Sequence, residues 1–347
     1  MKKKIVVLAG DGIGPEIMTS GIAVLEKAMK DSDIQFTFEE HPFGGAGIDA
    51  TGSPLPEETL SACQSADAIL LGAIGGPKWQ HALVTPEKGL LALRKALNLF
   101  ANIRPITVPD ALLPLSPIKE EIVRGTDLVV VRELTSGIYF GEPRYLGEEE
   151  AYDTNRYHAE EIRRIVRKAF EIAQTRRKHV LSVDKANVLA SSQLWRRVAE
   201  EVAQEFPDCT LEHQYVDSAA MRIVQHPTEF DVLVTENLFG DILSDEASVL
   251  PGSLGVLPSA SYGEEGVSLY EPIHGSAPDI AGKNIANPVS MILSASLMLR
   301  ESFELDEIAD RIEQSCFDVM AEGVLTMDLG GSASTTEFTA AVLGKLD

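Results

Sequence analysis

Carboxylates, guanidinium groups and one lysine are the residues of this chain whose spacing points to chemistry. The densest group runs T-E-N-L-F-G-D-I-L-S-D-E over residues 235–246. It follows F-D-V-L-V at 230–234, a short apolar run that reads as a buried strand. After Gly240 the spacing turns helical and predicts Ile242, Leu243 and Ala247 on one apolar side. Asp241 and Asp245 then stand at i and i+4, with carboxylates about 6 Å apart on one helix face. Two like charges so close disfavour each other unless a cation lies between them, and hard divalent ions prefer oxygen ligands. An isolated D-x-x-x-D also reads as a solvated acidic face, so a metal site needs groups from elsewhere in the chain.

Several such groups exist. Asp217 follows a predicted strand at 211–216, so it shares with Asp241 the strand-end edge where open α/β sheets bind ligands. Lys185 sits at the junction between a strand at 179–184 and the segment K-A-N-V-L, where burial and nearby charge tune an amine. An exposed lysine is the alternative. Arg94 lies about one turn past Leu90 and Leu91 on a helix predicted at 88–98. Arg104 and Arg132 fall on strands predicted at 102–109 and 127–133. Each arginine alone reads as a surface residue; together they make a carboxylate clamp of bidentate donors.

The elements that must position these groups alternate strand and helix, the α/β pattern. A strand at 4–9 leads through G-D-G-I-G into a helix at 15–29. That loop invites a dinucleotide reading but fails it: Pro15 stands where the third glycine belongs. Glu16 is negative where a pyrophosphate would sit, and no acid follows at the usual distance. A structural strand-to-helix turn is the expectation. Further strands are predicted at 35–40 and 68–72, helices at 57–65 and 158–175, and loops at 44–56 and 251–260. The polar stretch 139–157 breaks the rhythm and reads as a hairpin arm. Residues 271–288, rich in Gly, Pro and small side chains, form a loop that a ligand can approach closely. Helices at 291–300 and 304–322 and a short tail helix close the chain.

With 347 residues the chain suggests two lobes. A net charge of −23 argues against nucleic acid or an anionic membrane as partner. Three cysteines without C-x-x-C spacing give neither a disulfide framework nor a zinc signature. The longest apolar run, 289–299, is about half a membrane span. A cytoplasmic protein is expected.

Long strings carry a family resemblance: G-D-G-I-G-P-E at 10–16, G-G-P-K-W at 75–79 and V-R-E-L-T-S-G-I-Y-F-G at 131–141. S-V-D-K-A-N-V-L at 182–189, the 235–245 stretch and E-P-I-H-G-S-A-P-D-I-A-G-K-N-I-A-N-P at 271–288 complete them. Over nearly its full length the chain resembles the β-decarboxylating dehydrogenases, the isocitrate/isopropylmalate family. The resemblance implies a two-lobed α/β fold that is not a Rossmann fold, with a large mixed, mostly parallel sheet shared by both lobes. A discontinuous cofactor-binding domain would span 1–99 and 252–347. A dimerisation and metal/substrate domain would span 100–251, with an intersubunit arm near 140–157.

The activity implied is NAD-dependent oxidation of (2R,3S)-3-isopropylmalate and loss of carbon dioxide, giving 4-methyl-2-oxopentanoate on the way to leucine. D-malate or tartrate is the alternative substrate. By the same resemblance Arg94, Arg104 and Arg132 hold the substrate carboxylates. Asp217, Asp241 and Asp245 hold Mg²⁺ or Mn²⁺, Lys185 takes the hydroxyl proton, and Tyr139 protonates carbon. Lys185 and Asp217 would come from the second subunit of a homodimer. Glu87, Leu90, Leu91 and the partner's Val188 would select an isopropyl group over a third carboxylate. NAD would contact Ile74, Gly75, Gly76, Glu87 and Asn187, and along the second loop His274, Gly275, Ser276, Ala277, Asp279, Ile280 and Asn287. Asp279 would accept hydrogen bonds from the adenosine ribose, favouring NAD over NADP. The chain departs from the family's pattern at Gln80, Thr85 and Ser218.

Overall fold

A computed structural model describes residues 1–80, 82–264 and 266–346. The chain opens with β1 (Lys2–Gly10), α1 (Gly14–Ala28), β2 (Gln35–Glu40), α2 (Gly45–Thr51), α3 (Glu57–Gln64), β3 (Ala68–Ala73) and α4 (Pro86–Ala96). Next come β4 (Leu99–Thr107), α5 (Glu120–Val123), β5 (Asp127–Glu133), β6 (Tyr145–Leu146), β7 (Ala151–Tyr152) and α6 (Ala159–Gln174). They are followed by β8 (His179–Asp184), α7 (Ala190–Ala203), β9 (Thr210–Tyr215), α8 (Val216–Gln225), β10 (Val232–Thr235) and α9 (Asn237–Ala247). The chain closes with β11 (Pro258–Gly263), β12 (Leu269–Pro272), α10 (Val289–Phe303), α11 (Asp306–Ala321) and α12 (Thr335–Lys345). No described helix is long and apolar enough to cross a membrane.

Two compact units result. The first combines Met1–Asn98 with the described residues from Gly252 onward. Its strands run in the order β2-β1-β3-β12-β11, all parallel except for the antiparallel pair β11 and β12. The central strands are continuous apolar runs because helices cover both faces: Ile5, Val6, Leu8 and all of β3 are buried. Helix α10 is buried from Val289 to Leu299, as an all-round apolar helix must be. Its serines are satisfied inside: Ser294 Oγ donates to the Ser290 carbonyl at 2.7 Å, and Ser296 Oγ to the Ala309 carbonyl at 3.0 Å.

The second unit is Leu99–Pro251, with strand order β4-β5-β10-β8-β9. Only the β4–β5 pair is antiparallel. Helix α6 seats Ile162, Ile165, Val166, Ala169 and Phe170 in the core, each fully buried. Register aligns Asn102 with Arg132, and Arg132 with Thr235. The same register sets Asp184 beside Tyr215. Residues 132, 185, 217 and 237 therefore lie at or just past the C-terminal ends of parallel strands. Within 139–157, β6 and β7 form a small hairpin whose Tyr145 and Tyr152 rings lie 5.8 Å apart, with Leu146 exposed.

Three local expectations need correction. Residues 45–51 form helix α2 within the expected loop, because the Asp11 carboxylate accepts from the N–H groups of Gly45 and Ala46 and caps its first turn. The region after Pro251 includes β11; small residues (S-A-S) with no apolar alternation hide that strand. Asp217 follows β9 as expected, within the first turn of α8. The third concerns Ile242, which is 56% exposed while Leu243 and Ala247 are buried; adjacent helix positions point about 100° apart, and the buried face of α9 centres on Leu243 and Ala247.

Candidate active site

In the second unit, charged groups meet around α9. Glu236 caps the helix, its side chain accepting from the Phe239 N–H at 2.8 Å. Asp241 and Asp245 follow one turn apart. Arg132, at the end of β5, is 5% exposed. Its Nε and Nη2 donate to Asn237 Oδ1 at 3.1 and 2.9 Å, and its Nη1 donates to Asp241. Gly240 leaves the space for this guanidinium: a Cβ there would lie 2.6 Å from Arg132 Cγ. Arg104 reaches the same helix from β4, donating from Nη1 to Ser244 Oγ at 2.8 Å and to Asp245 Oδ1 at 2.9 Å. Its Nε is fixed by Asn102 Oδ1 at 2.8 Å.

Tyr139 completes this group. Its hydroxyl donates to Asp241 Oδ2 at 2.7 Å, and the Arg132 guanidinium stands 5.6 Å from its ring centre. Burial first, and then the hydrogen bond to Asp241, push the phenol up from its ordinary value. A phenol so placed keeps its proton at neutral pH, as a general acid must.

Lys185 and Asp217 form a separate pair. The ammonium donates to Asp217 and lies 5.9 Å from the Tyr215 ring centre. That bond to Lys185 is the main reason the Asp217 carboxyl sits below its usual range. Among the described residues no three His, Cys, Asp or Glu side chains gather closely enough to hold a metal. One chain thus brings Asp241 and Asp245 together with Arg104, Arg132 and Tyr139, and leaves Asp217 and Lys185 apart. Val188 and Asn187, just beyond Lys185, are exposed.

The remaining expected residues belong to the first unit. Glu87 opens α4, Leu90 and Leu91 are half-buried on it, and Arg94 Nη2 donates to Glu271 Oε1 at 3.1 Å. The buried Arg94 Nε has no protein partner, which leaves a donor for an anion. The Gly75–Gly76 turn follows Ile74. A Cβ on Gly75 would come within 2.9 Å of Glu87 Oε1, so turn and acid are adjacent. Ser276 Oγ donates to the Gly75 carbonyl at 2.8 Å, which joins the 274–287 loop to this turn. His274 Nε2 is buried without a partner, and burial lowers that imidazole's pKa. Asn287 donates to Asp328 Oδ2 at 3.0 Å, while Asp279 is exposed beside the half-buried Ile280. Ala277 adopts a positive φ of 37°. A hollow of about 430 Å³ is lined by Gly76, Trp79, Thr85 and Glu87 among others.

The sequence does not single out Asn237, Ser244 and Asn102, which hold the two arginines, or Gly240, which makes room for Arg132. The one available signal was Asn237 itself, a short polar residue opening a helix beside two acids.

Comparison with known proteins agrees with this architecture. The family model described as isocitrate/isopropylmalate dehydrogenase matches residues 4–342. A 3-isopropylmalate dehydrogenase of Listeria monocytogenes is 65% identical over 347 residues, covering 100% of this chain and 99% of that protein. One from Streptococcus thermophilus is 64% identical over 346 residues, with both chains fully covered. The crystal structure of isocitrate dehydrogenase from Methylococcus capsulatus matches with a TM-score of 0.87 at 35% identity, over 99% of each chain. A β-decarboxylating dehydrogenase from Thermococcus kodakarensis gives 0.82 at 36%, over 99% of this chain and 96% of that one. The expected mixed, mostly parallel α/β fold holds, and the chain belongs to the isocitrate/isopropylmalate dehydrogenase family.

Proposed function

We propose that this chain oxidises 3-isopropylmalate with NAD and a divalent metal and releases carbon dioxide. The observation that carries the reading is the 65% identity, along the whole chain, to a protein named 3-isopropylmalate dehydrogenase. The residues suit that chemistry. Asp241 and Asp245 offer hard oxygen donors one helical turn apart, which fits Mg²⁺ or Mn²⁺. Bound there, such an ion would supply Lewis-acid stabilisation of the oxygen that loses its proton, and NAD would supply the hydride acceptor.

The chain's own groups divide the rest of the work. Arg104 and Arg132, preset by Asn102 and Asn237, bind carboxylates with little loss of side-chain freedom. Arg94, with its free Nε, supplies a third guanidinium, and Leu90 and Leu91 give the branched alkyl end an apolar surface worth about 2 kcal/mol. Lys185, as the neutral amine, is the group to accept the hydroxyl proton once Asp217 is engaged elsewhere. Tyr139 returns a proton to carbon after decarboxylation. Glu87, Gly75, Gly76 and the 274–287 loop carry the dinucleotide, with exposed Asp279 facing a ribose diol.

The complete site requires a second copy of this chain, which supplies Lys185, Asp217 and Val188. Two features support the homodimer. Asp217 stands apart from the other two aspartates, and α8 and α9 leave the large apolar side chains of Met221, Val224 and Ile242 exposed. NADH formation with Mg²⁺ and isopropylmalate, measured against isocitrate, D-malate and tartrate, tests the reading. Good turnover of D-malate with none of isopropylmalate overturns it.

A further inference from the structure

The glycine loop that ends β1 is not part of the proposed chemistry, yet it is tightly built. Gly10 and Gly12 have φ of 74° and 59°. A Cβ on Gly12 would lie 2.0 Å from the Ser276 carbonyl oxygen, and one on Gly10 equally close to that of Ala73. These glycines therefore admit protein backbone. The loop's N–H groups are spent the same way: Asp11 N–H on the Ala73 carbonyl at 2.7 Å, and Ile13 N–H on the Ser276 carbonyl at 2.8 Å.

The Asp11 side chain, 6% exposed, reaches the opposite way. Oδ2 accepts from the N–H groups of Gly45 and Gly75, both at 2.8 Å, and Oδ1 from that of Ala46 at 2.7 Å. Gly75 is thus held at both ends of the residue, its N–H by Asp11 and its carbonyl by Ser276 Oγ. Ser276 in turn is tied to Ile13, two residues from Asp11. A closed circuit of hydrogen bonds therefore joins residues 11, 75, 276 and 13, from three distant parts of the chain. Charge-assisted bonds to a buried carboxylate are the strong kind, and removing it orphans three N–H groups.

We propose that Asp11 is a positioning residue for the dinucleotide, its carboxylate fixing the Gly75–Gly76 turn and, through Ser276, the start of the second cofactor loop. The inference rests on the proposed cofactor role of those two segments. Asp11 touches neither substrate nor cofactor; it acts through backbone.

NAD titrated calorimetrically into the full-length protein and its D11A, D11N and D279A variants provides the test, with KM for both substrates and kcat measured in parallel. D11A is expected to weaken NAD binding about ten- to a hundredfold, leaving KM for isopropylmalate within about twofold. D11N, whose amide oxygen can keep the Gly45 and Gly75 bonds, should fall between D11A and the wild type. If D11A does not fold, D11N carries the comparison. Wild-type NAD affinity in the Asp11 variants, with weakened binding in D279A, overturns the proposal and leaves the cofactor reading standing. An inert D279A overturns the cofactor reading itself. A fall in kcat with both KM values unchanged marks a loss of folded enzyme and also overturns the proposal.

Discussion

Replacing Glu133 by Gln should change how stability depends on pH. Glu133, at the end of β5, is fully buried. Its Oε1 accepts from Thr135 N–H at 2.9 Å and Thr135 Oγ1 at 2.7 Å, and its Oε2 from Ser136 N–H at 2.9 Å. Arg164 stands 3.8 Å away. Burial outweighs these influences and pushes the acid from its ordinary 4.5 up to about 7. A native value above the unfolded one means that the folded chain binds more protons between the two. This contribution is therefore complete below about pH 4.5 and is lost as pH rises through about 7. The displacement is worth about 3 kcal/mol. Glutamine does not titrate; it keeps the Thr135 bonds and loses the one from Ser136 and the long one, at 3.4 Å, from the Tyr157 hydroxyl, at a cost of about 1 kcal/mol. Glu133→Gln should therefore be less stable than the parent by about 1 kcal/mol at about pH 4 and more stable by about 2 kcal/mol at about pH 8.

The chain has two tryptophans, and Trp195, 2% exposed, meets the Tyr157 ring edge-on at 5.7 Å within the second unit. In a Trp79→Phe background its emission during urea unfolding, at fixed protein concentration, reports on this unit. Stability-versus-pH curves that run parallel, separated by a constant offset, refute the reasoning.

The proposed site yields three further predictions. Arg132→Lys removes the fork onto Asn237 Oδ1 and should lower kcat/KM about ten- to a hundredfold; steady-state kinetics with isopropylmalate check it, and an unchanged kcat/KM contradicts it. Tyr139→Phe should slow formation of the protonated 2-oxo acid product more than the first-turnover burst of NADH, whereas equal loss in both half-reactions removes the tyrosine from the protonation step. D217N and D241N chains, each inactive alone, should recover about a quarter of wild-type activity after mixed refolding, because half the dimers gain one intact site; no recovery contradicts a site shared between copies.

The parts of this account that were legible in the sequence are those governed by local pattern. The V-L-V run of β10 followed by helical spacing located α9 and its two aspartates, and the apolar run at 289–299 located α10 but not its burial on every side. Pairing between distant side chains left no such trace. Nothing around Asn237 or Gly240 reveals that one orients Arg132 and the other makes room for it, because their partner lies about a hundred residues earlier. The G-D-G-I-G loop reads in sequence only as a strand-to-helix turn, and the three N–H partners of Asp11 at 45, 46 and 75 are visible only in the folded chain. Helix α2 and strand β11 escaped for a related reason: Gly, Ala and Ser carry little periodic signal, and tertiary contacts decide their conformation.

The ion pairs of the second unit bear on how the proposed ligands bind. Arg132 is paired with Asp241, Arg104 with Asp245, and Lys185 with Asp217. Each of these three cations, proposed to meet substrate or proton, is therefore neutralised by an aspartate proposed to meet metal. A carboxylate substrate arriving alone must displace an aspartate from a largely buried arginine, in a chain whose net charge of −23 already repels it. A divalent cation arriving alone leaves the same arginine unpaired. Arriving together, the two exchange partners with the existing pairs and no buried charge is left uncompensated. The two affinities are accordingly coupled through the arginine–aspartate pairs, and by reciprocity each ligand strengthens the other by the same factor.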